Sequence, residues 1–377
     1  MEIYMKRSFI IRLLCLLILA ATCLSALAGC GKKSVTDGAK STEEELRVVG
    51  KVGNYDVLYD EYRYVVLSCK AILESEHGKD IWSSSESIAE FSPILEEMVA
   101  ERITANYAVL GLCDAYGFEN ALYDKDNVKY VNAKIENSIY LMAIEAGFYV
   151  EADQKNNGEI KYTYKKGELD KAKELFYKAL ASSYLTERVM RLTLGTEYAF
   201  DRLSRILTTE KNEIAHKAES IEAYMKSDKF ICTKHVFIED DGTRSREELR
   251  ADAETVLSLY EGGKSMDYLI GSKYNKDISM PYKGYYFTHG EMDETYEKAA
   301  FALSEGQVSG IVETEKGFYI IQRLPKDESY MLSNLEAFAG QIVYALVNDR
   351  VRTYQSNLTL EKNEFGSSLV LHEITAD

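Results

Sequence analysis

The sequence predicts an α+β protein that is mostly helical and carries one small sheet-and-helix segment at residues 229–326. Apolar residues recur every three or four positions over long stretches, most clearly at 87–116, which indicates amphipathic helices. The 377 residues include only 3 prolines, and a low proline content permits long helices. Strand-like runs at 231–238 and 317–324 bracket the small segment, where they can pair across one sheet. At this length two domains are favoured over a single core.

The predicted elements of the first domain, residues 46–228, begin with a short hairpin. Long amphipathic helices follow, and the second of them is predicted to begin with a capping box formed by Ser87 and Glu90. Pro93 is expected either to kink that helix or to mark a later start. In chain order the domain is predicted to contain a hairpin at 46–58 and helices at 60–76, 87–116, 126–146, 167–209 (one helix or two) and 210–225.

The segment 229–326 is predicted to fold as an α+β unit, with a strand at each end and helices at 246–260, 266–274 and 296–303. A last amphipathic helix at 330–356 opens the C-terminal part, residues 327–377. Because a lone helix cannot bury its apolar stripe, this helix is expected to pack on the N-terminal helical domain.

Residues 1–29 have the pattern of an export signal. Basic side chains precede an apolar run at 13–27, which is too short for a typical spanning helix, and small residues follow. The cysteine directly after them, Cys30, completes a pattern that resembles a lipobox, so Cys30 is the predicted lipidation site. Acyl chains there would hold the mature chain on the outer face of the bacterial cytoplasmic membrane, with residues 30–45 as a flexible tether. The alternative is a plain secretory signal with a chance cysteine.

Composition limits the classes of partner and cofactor. A formal charge of -16 argues against binding to nucleic acid and against electrostatic adhesion to anionic lipid. Outside the signal and Cys30, the cysteines are Cys69, Cys113 and Cys232. Their odd number and wide spacing predict buried apolar side chains rather than disulfides or metal ligands. The sequence has no phosphate-binding loop and no metal or redox motif, so no cofactor is predicted.

The middle segment, residues 229–326, contains a series of characteristic runs at 234–238, 287–292, 296–303, 306–314 and 317–321. On these runs the segment resembles a parvulin-type peptidyl-prolyl cis/trans isomerase from end to end. Its flanks resemble, in layout, the extracytoplasmic foldases of the PrsA and SurA type, in which a helical chaperone domain is built from sequence on both sides of an inserted parvulin domain. The resemblance implies unfolded or partly folded exported polypeptides as partners, and it leaves open whether the chain forms a homodimer.

The resemblance also assigns a catalytic set. His235 falls on the family's first-strand histidine, and Thr314 falls on the threonine before the last strand. Asp277 best matches the acidic or cysteine position that precedes the central loop. Tyr319 stands where the family has the second histidine of a pair, and a tyrosine cannot reproduce that pair. The residues alone leave open that His235 is a structural histidine.

The same resemblance assigns the proline pocket to Phe287, Met292 and Tyr296, the last of which replaces the family's usual phenylalanine and adds a hydroxyl. The residues alone are equally compatible with three core side chains. Such a pocket suits the reaction, because rotation about a peptide bond must overcome a resonance barrier of about 18–20 kcal/mol without a nucleophile or a metal. A catalyst for this step holds the proline and favours the twisted amide.

The sequence therefore predicts a membrane-anchored foldase that isomerises Xaa-Pro bonds in exported proteins. The alternative is a parvulin-fold chaperone that binds unfolded clients with weak or no turnover, because Tyr319 replaces a histidine and the loop before Tyr285 is altered. A solute-binding lipoprotein is a further alternative. It would need two similar α/β lobes, and the helical N-terminal half argues against them.

Overall fold

The computed structural model describes residues 41–155, 160–210, 214 and 218–375. The predicted signal, Cys30 and most of the predicted tether lie outside the described residues. The described chain falls into two compact units, which we call the helical unit (41–207 with 349–375) and the inserted unit (208–348). The chain is thus α+β and largely helical, and the helical unit is formed from sequence on both sides of the inserted unit.

The helical unit begins with β1 (Val48–Val52), β2 (Tyr55–Leu58), α1 (Tyr59–His77), α2 (Ser85–Ala115), α3 (Lys125–Glu145), β3 (Val150–Gln154), β4 (Ile160–Tyr164), α4 (Glu168–Ser182) and α5 (Glu187–Arg205). The next elements are α6 (Ala218–Lys226), β5 (Phe230–Glu239), α7 (Arg246–Glu261), α8 (Met266–Ile270), β6 (Tyr285–Thr288), α9 (Glu294–Ala302), β7 (Val312–Thr314), β8 (Gly317–Leu324) and α10 (Glu328–Ser333). The chain ends with α11 (Leu335–Gln355), β9 (Leu360–Lys362) and α12 (Glu364–Ser368).

Most predicted elements of the helical unit are confirmed, and the stretch 167–209 contains two helices, α4 and α5. The predicted capping box at Ser87 was wrong. The N-cap of α2 is Ser84, whose extended backbone lets its hydroxyl accept the Ser87 backbone N–H, so the helix begins earlier. Pro93 lies inside α2. The hairpin of β3 and β4 was not predicted, because its strands are largely exposed and have no apolar face to signal them.

The two ends of the helical unit meet in a small antiparallel sheet of order β2-β1-β9. Gly50 of β1 pairs with Lys362 of β9, and a Cβ at Gly50 would lie 2.4 Å from the Glu361 carbonyl oxygen, so this close approach requires glycine. The Lys70 ammonium donates to the His372 and Ile374 carbonyls at 2.8 and 2.9 Å. The C-terminal segment is therefore an integral part of this unit.

Helix α11 contributes residues to each unit in turn. Ile342 and Ala345 belong to a buried cluster of the inserted unit with Ile221, Phe230 and Met331. At the C-terminal end of α11, the Gln355 amide donates to the Glu101 carbonyl at 2.9 Å, within the helical unit. The compact units divide at 207/208 and 348/349. The domain limits at 228/229 and 326/327 stay predictions.

The inserted unit is built on an antiparallel sheet of order β6-β5-β8-β7. His235 of β5 lies opposite Ile321 of β8, and Phe237 lies opposite Tyr319. Because side chains alternate along a strand, the neighbouring positions point to the other face, where they pack with α7 and α8. That buried cluster contains Val236, Ile238, Phe318 and Ile320 from the sheet and Leu249, Ala253, Val256, Met266 and Leu269 from the helices. Helix α9 packs on the face that carries His235.

The predicted strands and helices of the inserted unit are confirmed, whereas β6 and β7 are short and were not predicted. The side chains of Cys69, Cys113 and Cys232 are buried, as predicted. Across the part of the chain that the structure describes, every helix is too short or too polar to cross a membrane.

The helical unit buries two adjacent carboxylates at the start of α1 beside a single arginine. Asp60 is 2% exposed and accepts a hydrogen bond from the Arg188 guanidinium at 2.8 Å and from the Thr186 hydroxyl at 2.9 Å. Glu61 is 1% exposed and accepts from the Tyr107 hydroxyl at 2.7 Å, but its carboxylate lies 3.9 Å from Arg188. The arginine therefore compensates Asp60 much better than Glu61.

The two carboxyl groups consequently differ in acidity. Burial acts to raise the pKa of Asp60, but the hydrogen bonds from Arg188 and its neighbours lower it overall. Burial raises the pKa of Glu61 from 4.5 to about 7. Glu61 thus becomes ionised near neutral pH in the folded protein, at a cost in free energy.

Replacing Glu61 with glutamine should stabilise the helical unit at pH 8 by about 1–3 kcal/mol. Because the pKa of Glu61 is higher in the folded protein, its stabilising contribution is full below the unfolded value of 4.5 and is lost as the pH rises through about 7. Urea unfolding followed by circular dichroism should show the gain of Glu61→Gln at pH 8 and little difference at pH 4.5. The exposed Glu97→Gln is the matched control. A gain for Glu61→Gln that is equal at both pH values would contradict this assignment.

Candidate functional site

His235 is the centre of a polar cluster on the sheet of the inserted unit. It lies in the middle of β5 and is 5% exposed. Its Nε2 atom is 3.2 Å from Asp277 Oδ2, and its Nδ1 atom is 2.9 Å from the Tyr296 hydroxyl. One imidazole therefore links a loop carboxylate to the helix α9.

The loop that carries Asp277 is held against β5 by two hydrogen bonds to the backbone of Phe237. The Asn275 side chain accepts the Phe237 N–H at 2.9 Å, and the Lys276 N–H donates to the Phe237 carbonyl at 2.8 Å. These bonds lie two residues beyond His235 on the same strand. They bring the Asp277 carboxylate over the imidazole.

Asp277 is an ionised carboxylate with several donors around it. The hydrogen bond to His235 lowers the pKa of Asp277 well below its usual value, and although burial opposes this shift, bonds from Ser279 and Tyr285 reinforce it. The Tyr285 hydroxyl donates to Oδ2 at 2.8 Å, and the Ser279 N–H and hydroxyl donate to Oδ1 at 2.9 and 2.7 Å. Asp277 is therefore negatively charged at neutral pH and only accepts hydrogen bonds.

Aromatic rings surround the imidazole. The Tyr285 ring stacks on His235 with centroids 5.7 Å apart and planes 15° apart. The Tyr319 ring meets the imidazole edge to face at 5.1 Å and 86°, and its other side is stacked on Phe237 at 4.5 Å. Burial raises the pKa of the Tyr319 hydroxyl, so the phenol stays protonated at neutral pH.

Burial separates the predicted pocket residues into a floor and an accessible surface. Phe287 is 1% exposed and Tyr296 is 3% exposed, so their rings form the floor. Met292 is part-exposed and packs against the same cluster, together with the part-exposed Tyr285 and Tyr319. A bound ligand could reach these three side chains above the floor.

The first turn of α9 is fixed by a buried glutamate. The Glu297 carboxylate accepts the backbone N–H groups of Gly290, Glu291 and Met292 at 2.9, 2.7 and 2.6 Å. Asp293 caps the helix by accepting the N–H groups of Thr295 and Tyr296. Met292 and Tyr296 are thus held in fixed positions next to the sheet.

The structure brings together five of the predicted site residues around the sixth, His235: Asp277, Phe287, Met292, Tyr296 and Tyr319. The remaining predicted residue, Thr314, is buried at the end of β7. It pairs with Gly317 at the tight turn between β7 and β8, where its hydroxyl donates to the Gly317 carbonyl at 3.2 Å and accepts the Lys316 N–H. Its contacts are those of a turn residue.

Sequence reasoning missed Tyr285, Ser279 and Thr233. Tyr285 precedes Phe287 by two positions, so both point to the same face of β6, and a predicted strand at 285–288 would have revealed it. Ser279 had no signal beyond its closeness to Asp277. Within the described ranges, no group of three or more His, Cys, Asp or Glu side chains could hold a metal ion.

The part of the chain that carries this site is similar in sequence to known proteins. Residues 235–324 match the model of the rotamase family, described as the PPIC-type PPIase domain. The chain is 25% identical over 248 residues to foldase protein PrsA 1 of Listeria monocytogenes serotype 4b, an alignment that covers 65% of this chain and 76% of the relative. It is 41% identical over 88 residues to the peptidyl-prolyl cis-trans isomerase pin1 of Schizosaccharomyces pombe, covering 22% of this chain and 50% of that protein.

A similar solved structure is PrsA from Bacillus subtilis, with 18% identity, a TM-score of 0.26, and coverage of 83% of this chain and 93% of that one. At that score the structural similarity supports no conclusion about this chain, and the sequence matches carry the assignment. Residues 235–324 are therefore a parvulin-type, PPIC-type isomerase domain, and the resemblance of the chain to PrsA-type foldases is confirmed.

Proposed function

We propose that the chain is an isomerase of Xaa-Pro peptide bonds that acts on unfolded exported polypeptides. One observation carries the proposal. His235 lies within hydrogen-bond distance of an ionised carboxylate and a buried phenol, beside accessible apolar side chains that can receive a proline ring.

The apolar side chains would seat the substrate. Met292, Tyr285 and Tyr319 lie above the buried floor of Phe287 and Tyr296. Their apolar surfaces can pack on a pyrrolidine ring. Holding the ring leaves the preceding carbonyl free to rotate about the imide bond. No nucleophile is needed, because no covalent bond forms or breaks.

The charge of Asp277 would favour the twisted state. In the planar amide, resonance places partial negative charge on the carbonyl oxygen, and twisting the bond removes part of it. A carboxylate fixed next to this oxygen repels the planar forms more than the twisted one, which lowers the barrier. Four donated hydrogen bonds hold Asp277 in its ionised form for this purpose.

Replacing Asp277 with asparagine should lower kcat/KM for isomerisation of a proline tetrapeptide by about tenfold or more, equal to 1.4 kcal/mol. The neutral amide keeps the size of the side chain but loses the charge. His235→Ala should lower kcat/KM at least as much, because it also releases Asp277. The assay is cis-to-trans isomerisation measured by fluorescence or exchange NMR.

The control for the histidine variant is His289→Ala, an exposed histidine of the same unit that stacks on Phe301. It should leave kcat/KM unchanged. The isomerase proposal fails if the parent protein does not exceed the uncatalysed rate. The assigned role of Asp277 fails if the parent is active and Asp277→Asn is equally active.

A second candidate function is the holding of unfolded segments by the helical unit, with or without turnover. Large apolar side chains are exposed on α3 and on the adjacent hairpin: Leu141 is 55% exposed, Ile144 47%, Tyr149 53% and Ile160 48%. The Tyr140 and Tyr162 rings stack at 4.5 Å and join the helix to the hairpin. Exposed apolar groups of this kind can contact unfolded chains.

The double variant Leu141→Glu with Ile144→Glu should suppress client aggregation less well than the parent. Each apolar side chain that a client covers contributes about 1 kcal/mol, and the new charges resist burial. Light scattering of a denatured test protein measures the effect. Ala133→Glu, at an exposed position of the same helix, is the control. Equal suppression by the double variant and the parent would exclude this surface.

We further propose that the mature chain is a lipoprotein on the outer face of the cytoplasmic membrane, attached through Cys30. The support is the sequence of residues 1–30 and the resemblance to extracytoplasmic foldases.

In a Gram-positive host that takes up labelled palmitate, the parent should carry the label and sediment with membranes. Cys30→Ser should lose both properties, because serine has no thiol for the diacylglyceryl group. Cys23→Ser, within the predicted signal, is the matched control and should behave as the parent. An unlabelled parent, or a labelled Cys30→Ser variant, would refute the anchor.

A further inference from the structure

The family pattern leaves an open question at His235, because the second histidine that would accompany it is replaced by Tyr319. The Tyr319 ring touches the imidazole edge to face, but no hydrogen bond joins its hydroxyl to another of the described residues. The atom next to His235 Nδ1 is instead the Tyr296 hydroxyl, at 2.9 Å. This hydroxyl is present because tyrosine stands where the resemblance expects phenylalanine.

We propose that Tyr296 is the positioning residue of this site: its buried hydroxyl donates to Nδ1 of the neutral His235 ring and fixes the ring with its Nε2–H directed to Asp277. The expected effect of Tyr296 on the isomerisation rate rests on the proposed isomerase function. The hydrogen bonds that define it are a property of the folded protein alone.

The donors and acceptors around His235 permit one consistent assignment for the neutral ring. Asp277 is ionised and only accepts, so His235 Nε2 must carry the proton that it donates. Nδ1 is then an acceptor, and the Tyr296 hydroxyl donates to it. The Thr233 hydroxyl, 2.8 Å away and fully buried, donates in turn to the Tyr296 oxygen. Every donor and acceptor in this series of hydrogen bonds therefore has a partner.

The surroundings keep the phenol in this role. Burial raises the pKa of Tyr296 far above its ordinary value, so the hydroxyl retains the proton that it donates. Its ring is 3% exposed and packs between Phe287 and Tyr319. The hydrogen bonds of Glu297 hold the segment before α9 against the first turn of the helix, which fixes the backbone next to Tyr296.

Asp277 keeps the proton on Nε2 whether or not this bond is present, because an Nε2 acceptor would face the carboxylate and the two groups would repel each other. Without the Tyr296 hydroxyl, Nδ1 becomes a buried acceptor that has lost its donor, and the ring loses one of the two hydrogen bonds that fix its orientation. The Nε2–H group, and Asp277 with it, is then held less firmly. Tyr296 thus acts on the substrate through His235 and Asp277 rather than by touching it.

The test compares Tyr296→Phe with Tyr319→Phe in the full chain. Both variants remove one hydroxyl from a ring next to His235, but only the first removes a hydrogen bond. Long-range nitrogen–proton correlation NMR of the histidine rings, with His235 identified by its loss in His235→Gln, reports the tautomer. kcat/KM is measured on the same samples.

We expect all three proteins to show the Nε2–H tautomer of His235, with the Nδ1 signal of the parent and of Tyr319→Phe at the chemical shift of an acceptor that has a hydrogen-bond donor. In Tyr296→Phe the Nδ1 signal should move to the chemical shift of an acceptor without a donor, and kcat/KM should fall by about tenfold. An unchanged Nδ1 chemical shift in Tyr296→Phe overturns the proposal, and so does an equal change in Tyr319→Phe. If the parent shows no isomerisation, the isomerase proposal fails, yet the NMR comparison still decides the role of Tyr296.

Discussion

The inserted unit depends on one interaction, the contact of the His235 imidazole with Asp277 on one side and Tyr296 on the other. The imidazole joins the central strand β5 to the loop that precedes β6 and to the helix α9. His235 and Tyr296 are 61 residues apart in sequence, so this contact joins distant parts of the unit. The register of the sheet determines which groups the imidazole contacts, because pairing His235 with Ile321 places the imidazole on the face that α9 covers.

The two units place buried carboxylates in different electrostatic environments. In the helical unit, Asp60 is compensated by Arg188, while Glu61 accepts a hydrogen bond from the neutral Tyr107 hydroxyl, lies 3.9 Å from Arg188 and resists ionisation. In the inserted unit, Asp277 accepts hydrogen bonds from the His235 imidazole, two hydroxyls and a backbone N–H and stays ionised. Several donors therefore stabilise the charge of Asp277 in the candidate site.

Much of this fold could be predicted from the sequence, since the long helices and the outer strands of the inserted unit have strong periodicity. Short elements escaped prediction. Strand β6 has only four residues, and β7 has three, so neither shows enough alternation to be recognised. The partner of His235 Nδ1 could not be predicted either. It depends on which ring, Tyr296 or Tyr319, directs its hydroxyl to the imidazole, and only packing decides this.

In the proposed mechanism His235 and Asp277 act as one catalytic unit, and a double-mutant cycle measures whether they do. Isomerisation rates of the parent, His235→Ala, Asp277→Asn and the double variant are compared on one proline peptide. We expect the double variant to be no slower than the slower single variant, because either change disables the same unit. Losses that multiply, as for two independent groups, would contradict this mechanism.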